Sequence, residues 1–236
     1  MACAFEMKLA LAHEWVGVEL PGYRPYRPYH TYGRWPWDQL PPINRVLQED
    51  LSWLLQEPIA SDWCIASALQ EDYERVRGWL SELSTGFVVP RAFESFLASP
   101  DAPSRIRSAT GCYLDFAQRV VPSSDGGVLF HFLSDQQWSM HWWLYLGPDG
   151  SEGVVAGYPP YGFDLGPQDR SSHDDYGVET LEIFSAAAPW AALCSSSFLD
   201  FVYRYWIENE IFFRLRGGGL TEEQHGYLAY YRAEPG

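Results

Sequence analysis

The sequence predicts an α+β domain, and three observations carry that prediction. Apolar residues recur at spacings of three and four in the first hundred positions, as on helix faces. Short aromatic-rich runs bounded by turn residues follow between about residues 112 and 156, as in a meander of strands. One long amphipathic stretch, SFLDFVYRYWIENEIFFRL, comes last. Helices, then strands, then a closing helix is segregated order, not the alternation of a parallel α/β fold. At 236 residues the chain suits one fairly large domain, or one domain with an extension.

Each element has its own justification. Residues 21–42, PGYRPYRPYHTYGRWPWDQLPP, alternate prolines with Tyr, Trp, Arg24, Arg27 and Arg34. Proline removes amide donors and fixes φ, so the stretch reads as an extended arm, without helix or central strand. Its rings favour packing across its own domain over display as a ligand. Residues 43–57 read as a helix, with Ile43, Val46, Leu47, Leu51, Leu54 and Leu55 on its stripe and Pro58 as its stop. A second helix is expected from about Ser61 to Leu83, with Ser61 or Asp62 as N-cap and Gly86 beyond its end. A third, short one follows Pro90 on Phe93, Phe96 and Leu97.

Residues 112–116 alternate weakly, and 128–133 and 140–146 are apolar except for His131 and His141. Pro148-Asp149-Gly150 is a turn, and 152–156 pairs back to make three strands. Residues 157–177 read as a long loop, and 179–184 as one more strand. Residues 197–215 form the long closing helix, capped by Ser195, Ser196 or Ser197, with Asp200 and Arg214 placed to suit its dipole. Gly217-Gly218-Gly219 ends it, and LTEEQHGYLAYY follows as a short amphipathic tail.

Composition limits the function. With 31 acids against 16 bases the net charge is −15, which excludes a nucleic-acid face and an anionic membrane surface. The same field would draw a basic protein, although acidity also serves solubility. From 149 to 210 there are eleven acids and two bases, Arg170 and Arg204. Lys8 is the only lysine, a bias of genome more than of mechanism. Cys3, Cys64, Cys112 and Cys194 form no CxxC pair and have no histidine at metal-ligand spacing. Reduced, buried thiols in a cytoplasmic protein are expected, with no metal and no cofactor. No secretory leader and no apolar run of about 18 residues is visible.

Candidate chemistry is sparse. Ser134-Asp135-Gln136-Gln137 sits between two apolar runs, with Trp138 close behind. Asp135 can close an Asx-type hairpin turn, leaving Gln136 and Gln137 outside. Cys112 with His131 or His141 and Asp135 could make a thiol hydrolase, but nothing places Cys112 where its thiol would be activated. Ser171 to Asp175 holds hydrolase residue types, yet neighbours in sequence cannot converge as a triad. Asp164, Asp169, Asp174 and Asp175 could hold a loop cation, but a solvated acidic loop explains them better. Glu208 and Glu210 point about 200° apart on a helix, so they read as a solvated or docking face with Arg204, not as an acid/base pair. Phosphate-binding and dinucleotide fingerprints are absent.

Three segments resemble the SUKH superfamily, which includes a fungal cell-wall-synthesis regulator and many bacterial immunity proteins. They are FVVPRAFESF at 87–96, VLFHFLSDQQWSMHWWLYLGPDGSEGVV at 128–155 and SSFLDFVYRYWIENEIFF at 196–213. The resemblance covers roughly residues 76–215. It implies a bent, mostly antiparallel sheet with helices packed on it, and action by binding proteins, several of them toxins such as nucleases and deaminases. It implies no catalytic residues. Residues 1–75 have no counterpart, so an N-terminal helical extension on a core of residues 76–236 is expected.

The resulting expectation is a non-catalytic, protein-binding domain of immunity type. Asp135, Gln136, Gln137, Trp138, Asp174, Asp175, Arg204, Glu208 and Glu210 are its candidate contacts with a basic toxin. The alternatives are a regulatory or scaffold domain, or a hydrolase using Cys112 and His131.

Overall fold

The computed structural model describes residues 11–23, 31–116, 120–123, 125–157 and 191–232. Among the described residues eight strands build one open sheet: β1 (Ala12–Val18), β2 (Tyr32–Pro36), β3 (Tyr113–Leu114), β4 (Val121–Pro122), β5 (Val128–Ser134), β6 (His141–Leu146), β7 (Glu152–Gly157) and β8 (Ala191–Ser195). Their order is β2-β1-β8-β7-β6-β5-β3, with β4 also on β5. β1 and β8 run parallel, and the other pairs are antiparallel. Among the described residues the helices are α1 (Ser52–Leu55), α2 (Gln70–Leu83), α3 (Arg91–Ala98), α4 (Phe198–Gly217) and α5 (Glu222–Arg232). The predicted α+β class, with its long closing helix, is the class found.

The β5–β6–β7 meander lies where the apolar runs put it, and aromatic packing explains how α3 and α4 sit on it. Phe93 meets Phe130, Phe132 and Phe198 edge-on, with centroids 4.9–6.0 Å apart. Phe132 reaches Phe201 in the same way. Edge-to-face pairs add to area burial, so this cluster fixes as well as fills the core. α4 begins as its caps require: Asp200 N donates to Ser197 Oγ at 3.1 Å, and Phe198 N donates to Glu152 Oε2 at 3.3 Å.

A bulge in β5 decides what the other face of the sheet carries. His131 pairs with Trp143, but Leu133 pairs with Trp142 and Ser134 with His141. Phe132 and Leu133 together therefore oppose one residue. Strict alternation would turn Ser134 away from His131, and the extra residue returns it to the same face. Ser134, His131 and His141 thus converge opposite the helices.

The N-terminal expectations need correction. The helix over 43–57 narrows to Ser52–Leu55. Asp50 Oδ1 accepts from Ser52 N at 3.0 Å, Leu51 is left-handed at φ 57°, and Val46 is 78% exposed. The local Asx-type bond competes with helix, and Leu51 and Leu54 reach the core while Val46 stays outside it. The second helix starts at Gln70, not Ser61, because residues 64–66 pair with residues 106–113 further along the sequence. Cys64 bridges Arg107 and Ala66 bridges Tyr113, with Ile65 N donating to Ile106 O at 2.8 Å. The arm is strand over Tyr32–Pro36, antiparallel to β1. Pro36 is tolerated at the end of this edge strand. β1, between β2 and β8, puts Ala12–Val18 in the same sheet as the later strands. The expected strand at 179–184 and the 157–177 loop beyond Gly157 lie outside the described residues.

Candidate functional site

The polar island is a turn between β5 and β6, and Asp135 is its organiser. Asp135 Oδ1 accepts from Gln137 N at 3.2 Å and Ser139 N at 2.8 Å. Oδ2 accepts from Ser139 Oγ at 2.6 Å and from Tyr32 OH at 3.3 Å. Asp135 is therefore buried and committed inward, while Gln136 and Gln137 are exposed. Trp138 is half-buried at φ 57°, with its ring edge-on to His141 at 5.6 Å. A left-handed tryptophan is strained, so the surrounding bonds must hold it there.

Under this turn lies a compact polar cluster. Ser134 Oγ donates to Asp115 Oδ2 at 2.8 Å and lies 2.8 Å from His141 Nδ1 and 3.0 Å from His131 Nε2. The two imidazole nitrogens are 3.2 Å apart. His141 Nε2 lies 3.3 Å from Trp138 O. A carbonyl only accepts, so Nε2 carries the proton there and Nδ1 presents its lone pair to the cluster. By the same logic His131 Nε2, 3.1 Å from Leu133 O, carries a proton in this arrangement. A hydroxyl between an imidazole and a carboxylate has the chemistry of a nucleophile. Ser134, however, is 0% exposed, so no substrate reaches its oxygen.

Cys112 lies in a different set of groups. Its Sγ is 3.2 Å from Thr110 Oγ1 and 3.8 Å from Tyr32 OH, and its amide donates to Ser108 Oγ at 2.8 Å. Burial pushes its thiol pKa up, against what a thiolate nucleophile requires.

The acids expected on α4 part ways. Glu208 is 0% exposed and accepts from Trp15 Nε1 at 2.8 Å and Tyr227 OH at 2.9 Å, joining β1, α4 and α5. As a docking contact this residue is corrected: its oxygens are used internally. Arg204, half-buried, donates to Tyr227 OH at 3.3 Å. Glu210 instead lines a cleft of about 530 Å³ with Glu57, Arg105, Trp206, Glu222 and Glu223. Burial raises the Glu210 carboxyl pKa. Asp174 and Asp175 lie outside the described residues.

Next to this cleft is a feature the sequence reading missed. Trp63 is 56% exposed with a left-handed backbone at φ 53°. Ser108 N donates to its carbonyl at 2.6 Å, which anchors it. Ile59, in the cleft wall, is equally exposed. Arg107 stacks 3.9 Å over Phe213 and pairs with Asp62, while Arg45 pairs with Glu57 and Arg214 with Glu210. Arg107, Arg45 and Arg214 thus already have acidic partners, and Arg105 donates to the Glu57 backbone carbonyl. The only sequence signal for this surface was a tryptophan beside aspartate in a segment read as helix.

No family model, no curated protein and no solved structure matches this chain. The resemblance to the SUKH superfamily rests on the three quoted segments. Among the described residues, no helix is long and apolar enough to cross a membrane.

Proposed function

We propose that this chain is a cytoplasmic, non-catalytic protein-binding domain of immunity type that neutralises a basic toxin. The observation that carries this reading is the displayed Trp63, with Ile59, beside a cleft whose lining sets Glu57, Glu210, Glu222 and Glu223 against Arg105, Arg107 and Arg214. Exposed aromatic anchors with polar surroundings are where binding energy concentrates. The net charge of −15, with Glu222 and Glu223 together at one side of the cleft, speeds encounter with a basic partner. The exposed Gln136 and Gln137 add hydrogen-bonding capacity at a second place. The SUKH resemblance supplies the toxin as the partner class.

The test begins with capture of a basic protein at low salt and continues with the purified pair. Trp63→Ala should weaken binding by about 30-fold or more, the scale of an anchor residue. Glu222→Lys with Glu223→Lys should slow association, and raising salt from about 50 to 300 mM should do the same to the parent chain. Binding that ignores salt and survives both changes, in variants with unaltered circular dichroism, would dispose of the proposal.

A further inference from the structure

We propose that Asp115, His131 and His141 form a binding site for one divalent first-row cation, zinc by its ligand types. The cation ties the β3 edge to β5 and β6. The donor atoms of the three residues all lie within 4.8 Å of one another. His131 Nε2 and His141 Nδ1, 3.2 Å apart, match the roughly 3.3 Å between two nitrogens on a tetrahedral ion with bonds of about 2.0–2.1 Å. The Asp115 carboxylate supplies the third, anionic ligand, and Ser134 Oγ, 2.8 Å from it, closes the fourth side. Two imidazoles and a carboxylate are a borderline donor set, which suits zinc over calcium or magnesium.

Two further observations point the same way. His141 donates its outer nitrogen to the Trp138 carbonyl at 3.3 Å, the second bond that orients a metal-binding imidazole and raises its basicity. That carbonyl is aimed by a left-handed tryptophan, inside a turn held by Asp135. The bulge in β5 then puts Ser134 on the histidine face. Two locally unfavourable backbone features thus converge on one cluster, as they do at sites they serve. The polar island acquires a purpose beyond closing a hairpin. Both histidines are buried and Asp115 is half-exposed, giving a closed, structural site with one side open for entry. On binding, the cation takes the place of the proton that His131 Nε2 shares with Leu133 O, and the neutral ring then carries its one proton on Nδ1.

The test uses the untagged full chain, stripped with a chelator and titrated with zinc against a chromophoric competitor. One zinc per chain, bound below about 1 µM, is expected, within the wide range of protein sites. Asp115→Asn should weaken it by about tenfold or more, while His225→Ala, at an exposed histidine, leaves it unchanged. Cobalt provides a readout free of any variant: the intense visible absorption of a tetrahedral ion is expected. Absence of a 1:1 zinc complex, a weak octahedral cobalt spectrum, or unchanged affinity in folded Asp115→Asn would each overturn the assignment.

Discussion

Replacing Glu208 should unfold the protein more readily without touching a partner. Its carboxyl group accepts from Trp15 Nε1 at 2.8 Å and Tyr227 OH at 2.9 Å, with Tyr231 OH further off at 3.4 Å. Glu208→Gln keeps the shape but turns one acceptor into a donor. An amide NH₂ facing Trp15 strands the indole N–H, and one facing Tyr227 can donate to the hydroxyl but leaves the hydroxyl proton without this acceptor. One lost hydrogen bond plus one unsatisfied buried donor costs about 1.5–4 kcal/mol. Glu208→Ala strands both donors and opens a cavity, for about 3–6 kcal/mol. In a chain of this size each kcal/mol moves the melting midpoint by roughly 2–4 °C, so Glu208→Gln should fall by about 3–16 °C. Urea unfolding followed by tryptophan fluorescence reads the difference from the midpoint at constant slope. Tyr227→Phe completes a double-mutant cycle, in which the two changes should add to less than their sum. Gly17 offers a second route to the same bond, because a Cβ there would strike both the Trp15 indole nitrogen and Glu208 Oε2. A Glu208→Gln chain within about 0.5 kcal/mol of the parent, the usual range for surface changes, would refute the buried network.

Three further outcomes are expected. Burial pushes the Glu152 carboxyl up to about 7, and burial raises Asp200 and Glu210 in the same direction. An acid whose folded pKa is raised binds its proton more tightly when folded, so its contribution is complete below the ordinary value and disappears as pH climbs through about 7. Moving from pH 7.5 to 5.5 should therefore stabilise the chain by up to about 2 kcal/mol, and an equally steep profile in Glu152→Gln would disprove the assignment. Among the described thiols, half-exposed Cys64 should react with a disulfide reagent at least about 100-fold faster than Cys112 and Cys194, since burial raises both of the latter, Cys194 to about 12. Peptide mapping reads this, and rapid labelling of Cys112 in the folded chain would restore it as a nucleophile. Asp135→Ala removes the acceptor of two turn amides and of the Ser139 and Tyr32 hydroxyls, and should cost about 2–4 kcal/mol by urea unfolding. A loss within about 0.5 kcal/mol would mean that the turn closes without it.

What the sequence determined by itself was the local order of the chain where one signal dominated. The α3 stripe of Phe93, Phe96 and Leu97, the apolar runs of β5 to β7 and the Pro-Asp-Gly turn between β6 and β7 are short-range patterns. So is the serine cap of α4. The role of Asp135 within its turn was legible for the same reason, since its bonds to the turn amides reach two and four residues along, whereas its bond from Tyr32 was not. Tertiary structure alone decided the rest. Pairing of β1 with β8 joins Ala12 to Ala192, and no periodicity encodes so distant a partner. Residues 64–66 gave up helix for bridges to 107 and 113, because backbone pairing across the fold outweighed a helical stripe. Glu208 read as surface because a charged residue on a helix usually is, yet Trp15 and Tyr227 arrive from far along the chain to satisfy it. His131 and His141 were visible only as interruptions in apolar strands. One inserted residue in β5 turned Ser134 onto their face, and the fold brought Asp115 alongside. The side-chain period of a strand is two, so a single bulge reverses which residues meet, and only the folded sheet shows where that bulge lies.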